Sequence, residues 1–151
     1  LYRFSIKEHI QKDNTPHLSR IKLKMVLPLS MRLKGYRCFY YLNKSGKKFH
    51  GPSMVLKVVK AQTNLLKPDH RKVATASCQC AVAISTKVSK RAVIRNRMRR
   101  VLHNHLRLRL NKTTKHPSNW ALLSLKPNSS EKEDKKLLEE CDRLFSEAGL
   151  I

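Results

Sequence analysis

Hydrophobic and polar positions along the chain predict three helices and three short strands. Apolar residues at intervals of three and four are typical of helices that bury one side, and short alternating or continuous apolar runs are typical of strands. Helices are predicted at 31–43, at 91–110 and after Ser130, and strands at 54–61, 73–85 and 120–126. This order predicts an α+β fold, an α/β sandwich in which helices cover a small sheet.

The segment 91–110 gives the strongest helix prediction, and its two sides differ. At about 100° per residue its apolar residues gather in one arc: Ile94, Met98, Val101, Leu102 and Leu108. The rest of the circumference is basic or polar and comprises Arg95, Asn96, Arg99, Arg100, His103 and Arg107. We therefore expect the apolar arc to pack on the sheet and the basic arc to face outward.

Two further patterns predict core residues. Cys78, Cys80, Val82 and Ile84 alternate onto one face of their strand and are expected to be buried. Ser130 and Glu133 have the spacing of a capping box, which predicts the start of a C-terminal helix. That helix is expected to pack through an apolar stripe formed by Leu137, Leu138, Cys141, Leu144, Phe145 and Ala148. A polar turn is predicted through Asn64 and 68–69.

Charge adds a functional expectation to this fold. Lys and Arg number 33 against 10 Asp and Glu, a net charge of +23, and seven of the ten acids lie between Glu131 and Glu147. Such a field attracts a polyanion, because basic side chains that neutralise phosphates release condensed counterions. An anionic membrane surface would also attract it. A merely solvated surface is the plainer alternative, but solvated faces usually mix both signs.

The basic side of the helix at 91–110 is the sharpest candidate site. Guanidinium groups about a turn apart pair well with phosphate oxygens, and the unpaired N–H groups of a helix start near Ser89 would favour the same ligand. No acid occurs from Lys87 to Lys126, so like charges are expected to crowd unless a partner neutralises them. The residues expected to contact nucleic acid here are Lys87, Lys90, Arg91, Arg95, Asn96, Arg97, Arg99 and Arg100.

Aromatic residues in the first predicted helix form a second candidate. Tyr36, Phe39, Tyr40 and Tyr41 lie among basic residues, a combination that makes stacking platforms for unpaired bases. Helical spacing alone also predicts that about half of these rings are core.

Several classes of function lack their residues. No apolar run reaches the roughly 20 residues that a membrane helix needs, and the first 24 residues lack a signal peptide's apolar middle. The four cysteines form neither a disulfide framework nor a zinc motif, which favours a reducing cytoplasm. No phosphate loop or nucleophile motif occurs, and few acids precede the terminal helix, so we expect a non-catalytic polypeptide without a bound metal.

The chain is expected to hold one domain at 25–151. Residues 1–24 are polar, basic and without a sustained period, and they predict a flexible extension. Because the chain opens with Leu, Met25 is a candidate start, and the extension is a candidate for non-native sequence.

The motifs in the middle of the chain resemble a known family. The run 84–88 followed by 91–100, with its Arg95-Asn96-Arg97 core, resembles the signature of the bacterial ribonuclease P protein family. Upstream, 32–34, Phe39, Gly46 and the strand 54–58 are similar to that family's first helix and strand, and 119–123 is similar to its last strand. The resemblance covers roughly 31–145.

The resemblance implies a fold and a function. The fold would be that of the second domain of ribosomal protein S5, a four-stranded sheet packed by three helices with a left-handed βαβ crossover. The protein would be a monomer bound one-to-one to a catalytic RNA that removes the 5′ leader of precursor tRNA endonucleolytically. Mg²⁺ would act at the RNA active site, and the basic helix would contact that RNA. A cleft between the first helix and the sheet, lined by Phe39, Val55 and Lys57, would hold the leader.

Two residues depart from the family pattern. Asn43 stands where a second cleft aromatic is usual, which would remove a base-stacking contact or move it to Tyr40 or Tyr41. His103 stands where a basic residue is common and would make RNA affinity pH-sensitive.

A basic ribosomal or ribosome-associated protein is the main alternative function. Such a protein would share the positive charge, but it would not share the ordered motifs. A DNA-binding regulator and an independent nuclease are weaker alternatives.

Overall fold

The computed structural model describes residues 27–66, 78–110 and 118–151. These ranges contain three helices, which we label α1 (Tyr36–Ser45), α2 (Ala92–Leu110) and α3 (Asp134–Glu147). They also contain four strands, β1 (Lys47–His50), β2 (Met54–Lys60), β3 (Cys78–Ala83) and β4 (Asn119–Leu125). Short 3-10 turns lie at Leu29–Met31, Thr63–Leu65 and Pro127–Glu131. The α+β prediction is confirmed. The predicted extension at 1–24, the turn at 68–69 and the strand segment 73–77 lie outside the described residues.

The four strands form one mixed sheet in the order β1-β2-β4-β3. β2 pairs antiparallel with β1 and β4, whereas β3 and β4 are parallel and are joined through α2. The segment before α1 covers the outer edge of β3: Arg32 bridges to Cys80, and the N–H of Leu33 donates to the Cys80 carbonyl at 3.1 Å. The βαβ crossover expected from the resemblance is therefore present, and its left hand stays a prediction.

The two faces of the sheet carry separate hydrophobic clusters. One face packs against α2 and α3 and buries Met54 and Leu56 of β2 and Leu123 of β4. The other face packs against α1 and buries Trp120 and Leu122 of β4. Because side chains alternate along a strand, neighbouring residues of β2 and β4 serve opposite faces.

The first helix begins five residues later than its periodicity predicts. Gly35 precedes it with a φ of 106°, a left-handed conformation that an α-helix excludes and that glycine adopts readily. Leu33 is buried under α1 although it lies outside the helix. The helical spacing of apolar residues therefore extends into the segment 31–35, which is not part of the helix.

Helix α2 begins one residue later than predicted and ends at the predicted residue. The prediction of which residues are buried was wrong at its C-terminal end. Met98, Leu102, Leu106 and Leu110 form the buried row, whereas Leu108 is exposed. A spacing of four advances about 40° per step on a helix of 100° per residue. The side that faces the core therefore turns along α2, and a fixed arc misplaces its last residues.

The capping-box prediction was wrong. Ser130 lies in the 3-10 turn Pro127–Glu131, where its hydroxyl donates to the Pro127 carbonyl at 3.4 Å. Glu133 is the N-cap of α3 and makes no side-chain cap hydrogen bond. Pro127 is favourable at a turn start, so the segment forms a turn of its own before α3 begins. The predicted stripe is otherwise confirmed, with Leu137, Cys141, Leu144 and Phe145 buried and Leu138 and Ala148 partly buried.

Candidate nucleic-acid interface

The predicted nucleic-acid contacts lie along the N-terminal half of α2 and the turn before it. Six are exposed: Lys87, Lys90, Arg91, Asn96, Arg97 and Arg100. Arg95 and Arg99 are half-buried, and Val88 anchors the turn in the core. The structure thus brings the eight predicted residues into one short stretch, although they do not all face one way.

A basic ridge runs beside the buried row of α2. Its residues are spaced by four, as the buried residues are, so the two rows run parallel and turn together around the helix. The ridge consists of Arg91, Arg95, Arg99, His103 and Arg107. Because the ridge borders the sheet-facing row, its side chains emerge at the edge of the packed surface.

Arg95 supports the turn before α2. Its Nη1 donates to the carbonyls of Ser89 at 2.7 Å and Lys90 at 3.0 Å. The Ser89 hydroxyl in turn accepts from the N–H of Arg91 at 3.3 Å, which satisfies one N–H at the helix start. Arg95 therefore positions Lys90 and Arg91 as well as presenting its own charge.

Asparagine side chains orient two further arginines. Arg99 Nη1 donates to Asn96 Oδ1 at 2.9 Å, and Arg107 Nη2 donates to Asn104 Oδ1 at 3.2 Å. These neutral acceptors hold the guanidinium groups without cancelling their charge. Asn96, which the sequence predicts as a nucleic-acid contact, therefore also orients Arg99 within the helix.

Acidic residues of α3 neutralise the basic side chains on the side of α2 that faces α3, so the expected crowding of like charges is partly relieved within the protein. Arg97 Nη2 lies 2.8 Å from Asp134 Oδ2. Asp142 accepts from Arg109 through both oxygens, at 3.1 and 2.7 Å, and lies 2.7 Å from His105 Nε2. These partners are at least 33 residues away in sequence, so the i±4 rule could not reveal them.

The Asp142 carboxylate is held in its charged form. Burial would raise the pKa of Asp142, but hydrogen bonds from Arg109 and His105 outweigh it and lower that pKa below the ordinary value. The bidentate guanidinium is the stronger geometry of the two. Arg97 and Arg109 are therefore packing partners of α3, and the basic ridge remains on the opposite side.

His103 is the titratable member of the ridge. Burial lowers its pKa, and the charges of Arg99 and Arg32 lower it further. Both effects favour the neutral imidazole in the free protein. A phosphate placed against the ridge would counter the two arginines and favour its protonation.

The second predicted site lies on the α1 side of the sheet. Phe39, Val55 and Lys57 are half-buried and share this face. The row formed across the sheet by Ala83, Ser124, Val55 and His50 contains no buried residue. Helix α1 therefore covers the end of the sheet at Trp120 and leaves a shallow floor of small side chains at the other end.

Asn43 takes part in this cleft through a polar contact. Lys57 Nζ donates to Asn43 Oδ1 at 2.6 Å, so the amide joins α1 to β2 at the rim. Strand β1 adds Lys48 opposite Lys57 and His50 opposite Val55. Both β1 residues are exposed and were missed by sequence reasoning. The only signal in the sequence was one apolar residue, Phe49, between basic and polar neighbours.

The remaining chemical candidates are accounted for by packing. Cys78 and Cys80 are buried in the core, as predicted, and burial raises the pKa of Cys78 and of Cys141 to about 12. Among the described ranges, no three His, Cys, Asp or Glu side chains come together as a metal site would require. No helix in those ranges is both long and apolar enough to cross a bilayer.

Comparison with known families matches the ordered motifs around this site. The model of the family described as Ribonuclease P matches residues 27–149. The chain belongs to the ribonuclease P protein family. The match includes both the basic ridge of α2 and the cleft beside α1.

Curated relatives within the family are similar over almost their whole length. The ribonuclease P protein component of Prochlorococcus marinus strain MIT 9313 is 58% identical over 127 residues, covering 84% of this chain and 99% of the relative. That of Parasynechococcus marenigrum strain WH8102 is 52% identical over 126 residues, covering 83% and 98%.

Solved ribonuclease P proteins share the fold. The Staphylococcus aureus structure aligns with a TM-score of 0.63 at 12% identity and covers 80% of this chain and 96% of its own. The Thermotoga maritima structure aligns with a TM-score of 0.58 at 17% identity, covering 75% and 93%. The mixed sheet with three helices is therefore the family fold.

Proposed function

We propose that this chain binds the catalytic RNA of ribonuclease P through the α2 ridge and holds the 5′ leader of precursor tRNA in the cleft beside α1. It would thereby assist endonucleolytic removal of the leader, while the RNA performs the chemistry. The observation that carries the proposal is the pairing of these two surfaces on one family member. One is a ridge of oriented cations, and the other is a partly open sheet face.

The ridge suits a structured RNA backbone. Arg91 and Arg100 are exposed and have no ion-pair partner among the described residues. Arg99 is aimed by a neutral amide. Guanidinium groups held in this way can donate bidentately to phosphate oxygens, and each contact contributes to a salt-dependent affinity.

The cleft suits an unpaired strand rather than a duplex. Its floor of Val55, Ser124 and Ala83 is flat and small, and the half-buried ring of Phe39 stands at its wall. Lys48 and Lys57 add positive charge one row further along the sheet. Sequence-tolerant recognition of single strands combines such a basic groove with an aromatic face.

Magnesium is assigned to the RNA in this proposal. Among the described residues, Asp134 and Asp142 pair with cations and Glu140 accepts from backbone N–H groups, and no three carboxylates come together in the oxygen-rich cluster that Mg²⁺ prefers. The described residues therefore do not fit a protein-bound ion. No step of the chemistry is routed through the polypeptide.

The test is reconstitution. The purified chain, added to a bacterial ribonuclease P RNA at low magnesium concentration, should restore 5′ leader cleavage of precursor tRNA. Arg91→Ala in the ridge and Arg100→Ala beside it should each weaken binding to the RNA and reduce the slope of log affinity against log salt by roughly one phosphate contact. Lys136→Ala, which removes one exposed charge from α3, is the matched control and should leave the slope unchanged.

Two outcomes would count against the proposal. Absence of cleavage by the reconstituted complex would favour the alternative of a basic ribosome-associated protein. Salt slopes of Arg91→Ala and Arg100→Ala that both equal the wild-type slope would remove the ridge and its neighbour Arg100 from the RNA interface. Sedimentation of the complex at known composition would test the proposed one-to-one stoichiometry of a monomeric protein with its RNA.

A further inference from the structure

The outer side of α1 carries an exposed aromatic pair that neither the basic ridge nor the cleft includes. Tyr36 is 83% exposed and Tyr40 is 57% exposed, the largest exposures among the aromatic residues of the described chain. Their rings are stacked, with centroids 6.3 Å apart and planes inclined by 25°. Single exposed apolar residues are ordinary, but a stacked pair forms a continuous aromatic surface.

This pair does not contribute to the core. Cys38 and Leu42 are the α1 residues that are fully buried against the sheet, and Tyr41 packs edge-on against Trp120. Tyr36 and Tyr40 lie on the opposite side of the helix. They can therefore be substituted without opening a cavity.

The surroundings of the pair are uniformly basic. The ammonium of Lys44 lies 6.0 Å from the centre of the Tyr40 ring, within reach of a cation–π contact. Lys34, Arg37, Lys47 and Lys48 are exposed on and beside α1. No Asp or Glu occurs between Asp13 and Asp69 in the sequence. The positive charge favours a negatively charged ligand here, and the tyrosine rings favour a ligand that contains flat rings.

The pair is also continuous with the cleft. Phe39 and Asn43 occupy the cleft side of α1, and each tyrosine lies about 60° further round the helix, away from the sheet. A strand that leaves the cleft past the contact between Asn43 and Lys57 would reach the ring of Tyr40 and then that of Tyr36. Aromatic stacking tolerates any base, because every base has a π face.

We propose that Tyr36 and Tyr40 form a stacking subsite for unpaired nucleotides of an RNA strand that continues outward from the cleft. The identification of that strand as the precursor leader rests on the proposed function. In this arrangement Lys44 holds the phosphate side of the strand, and the two rings hold its bases. The two tyrosine rings would supply base stacking on α1, where the neighbouring Asn43 offers only an amide.

The test compares precursor tRNAs whose leaders end inside the cleft with others whose leaders extend beyond it. The reconstituted holoenzyme should bind the long leader more tightly than the short one. Tyr36→Leu/Tyr40→Leu keeps apolar bulk and removes both aromatic faces, and it should lose roughly tenfold in affinity for the long leader alone. Tyr36→Phe/Tyr40→Phe keeps the faces and should retain the wild-type difference. Leu29→Ala, an exposed apolar control outside α1, should do the same.

A full long-leader advantage in the double leucine variant would overturn the subsite. An equal loss for both leaders would also overturn it, because the rings would then support the fold or the cleft. Sedimentation of the protein without RNA tests whether a second copy of the chain binds this surface instead. Self-association that the leucine substitutions abolish would assign the rings to that second copy.

A separate measurement distinguishes this inference from the proposed function. Anisotropy of a labelled oligouridylate with the protein alone, at a salt concentration that suppresses nonspecific binding, needs no catalytic RNA. If the holoenzyme does not process precursor tRNA but the oligouridylate binds in a manner that depends on both tyrosines, the proposed function fails and the stacking surface stands. Binding that is indifferent to both rings overturns the stacking surface in either case.

Discussion

The two faces of the sheet are covered to different extents. On the α2 and α3 side, Met54, Leu56 and Leu123 are completely buried, and two helices close over them. On the α1 side a single ten-residue helix covers Trp120 and Leu122 and leaves the row through Val55 and Ser124 partly open. The closed face can stabilise the fold, whereas the open face is the one proposed to bind a strand. Substitutions on the two faces should therefore have separable effects.

Leu123→Ala should give the largest loss of stability. Its side chain is fully buried at the centre of the closed face, so truncation removes hydrophobic burial and leaves a cavity, at a cost of about 2–5 kcal/mol. Val55→Ala on the open face should cost about 1 kcal/mol or less, because its side chain is already partly solvated. Urea unfolding of both variants measures the difference. Similar costs would contradict the unequal coverage of the faces.

Glu140→Ala should destabilise the closed face at its edge. Glu140 Oε1 accepts from the N–H groups of Ser53 at 2.7 Å and Met54 at 3.2 Å, and so ties α3 to the turn between β1 and β2. A side chain at Gly51 would collide with the same oxygen, which shows how closely the turn approaches. Loss of a buried acceptor leaves these N–H groups unsatisfied, at about 1–3 kcal/mol.

The comparison for Glu140 is with its exposed neighbour. Glu139→Ala removes the same charge from the solvent side of α3 and should change the free energy of unfolding by less than about 0.5 kcal/mol. Glu140→Gln retains an acceptor oxygen and should fall between the two. An equal effect of Glu139→Ala and Glu140→Ala would mean that helix charge, and not the turn contact, is responsible.

Phe39→Ala should affect function more than stability. The ring is half-buried at the wall of the open face, so its loss should reduce discrimination between precursor and mature tRNA by roughly tenfold through lost stacking. Competition between the two RNAs for the holoenzyme measures this ratio. Equal weakening for both RNAs would place Phe39 in the core instead of the cleft.

The smallest expected effect concerns pH. The pKa of His103 is lowered in the free protein, and a bound phosphate would raise it again, so RNA affinity should increase by about two- to threefold as pH falls from 7 toward 5.5. Fold stability should move oppositely: with a lowered folded pKa, the His103 contribution is present above pH 6.5 and is lost as pH falls through the folded pKa. His103→Asn should flatten the affinity profile. An unchanged profile would separate His103 from the ridge.

Features encoded by local spacing could be predicted from the sequence, and most were. The alternation of Cys78 and Cys80 predicted their burial, and the bounds of α2 and β2 are within one residue of the prediction. Phe39, Val55 and Lys57 were named from the family resemblance as lining a leader cleft; the structure places them on one face, and their role in holding the leader stays a prediction. Strand β1 was not predicted, because four residues with one apolar side chain carry little periodicity and pairing with β2 decides their conformation.

What the sequence determined by itself is the chemistry of the α2 surface: a basic row beside an apolar row, both readable because their spacing is that of one helix. What only the tertiary structure decided is which of those cations remain available. Asp134 and Asp142 lie on α3, and packing of α3 against α2 brings them to Arg97 and Arg109. The physical reason is range. Periodicity reports neighbours within a turn or two, whereas ion pairs between helices depend on how distant segments pack.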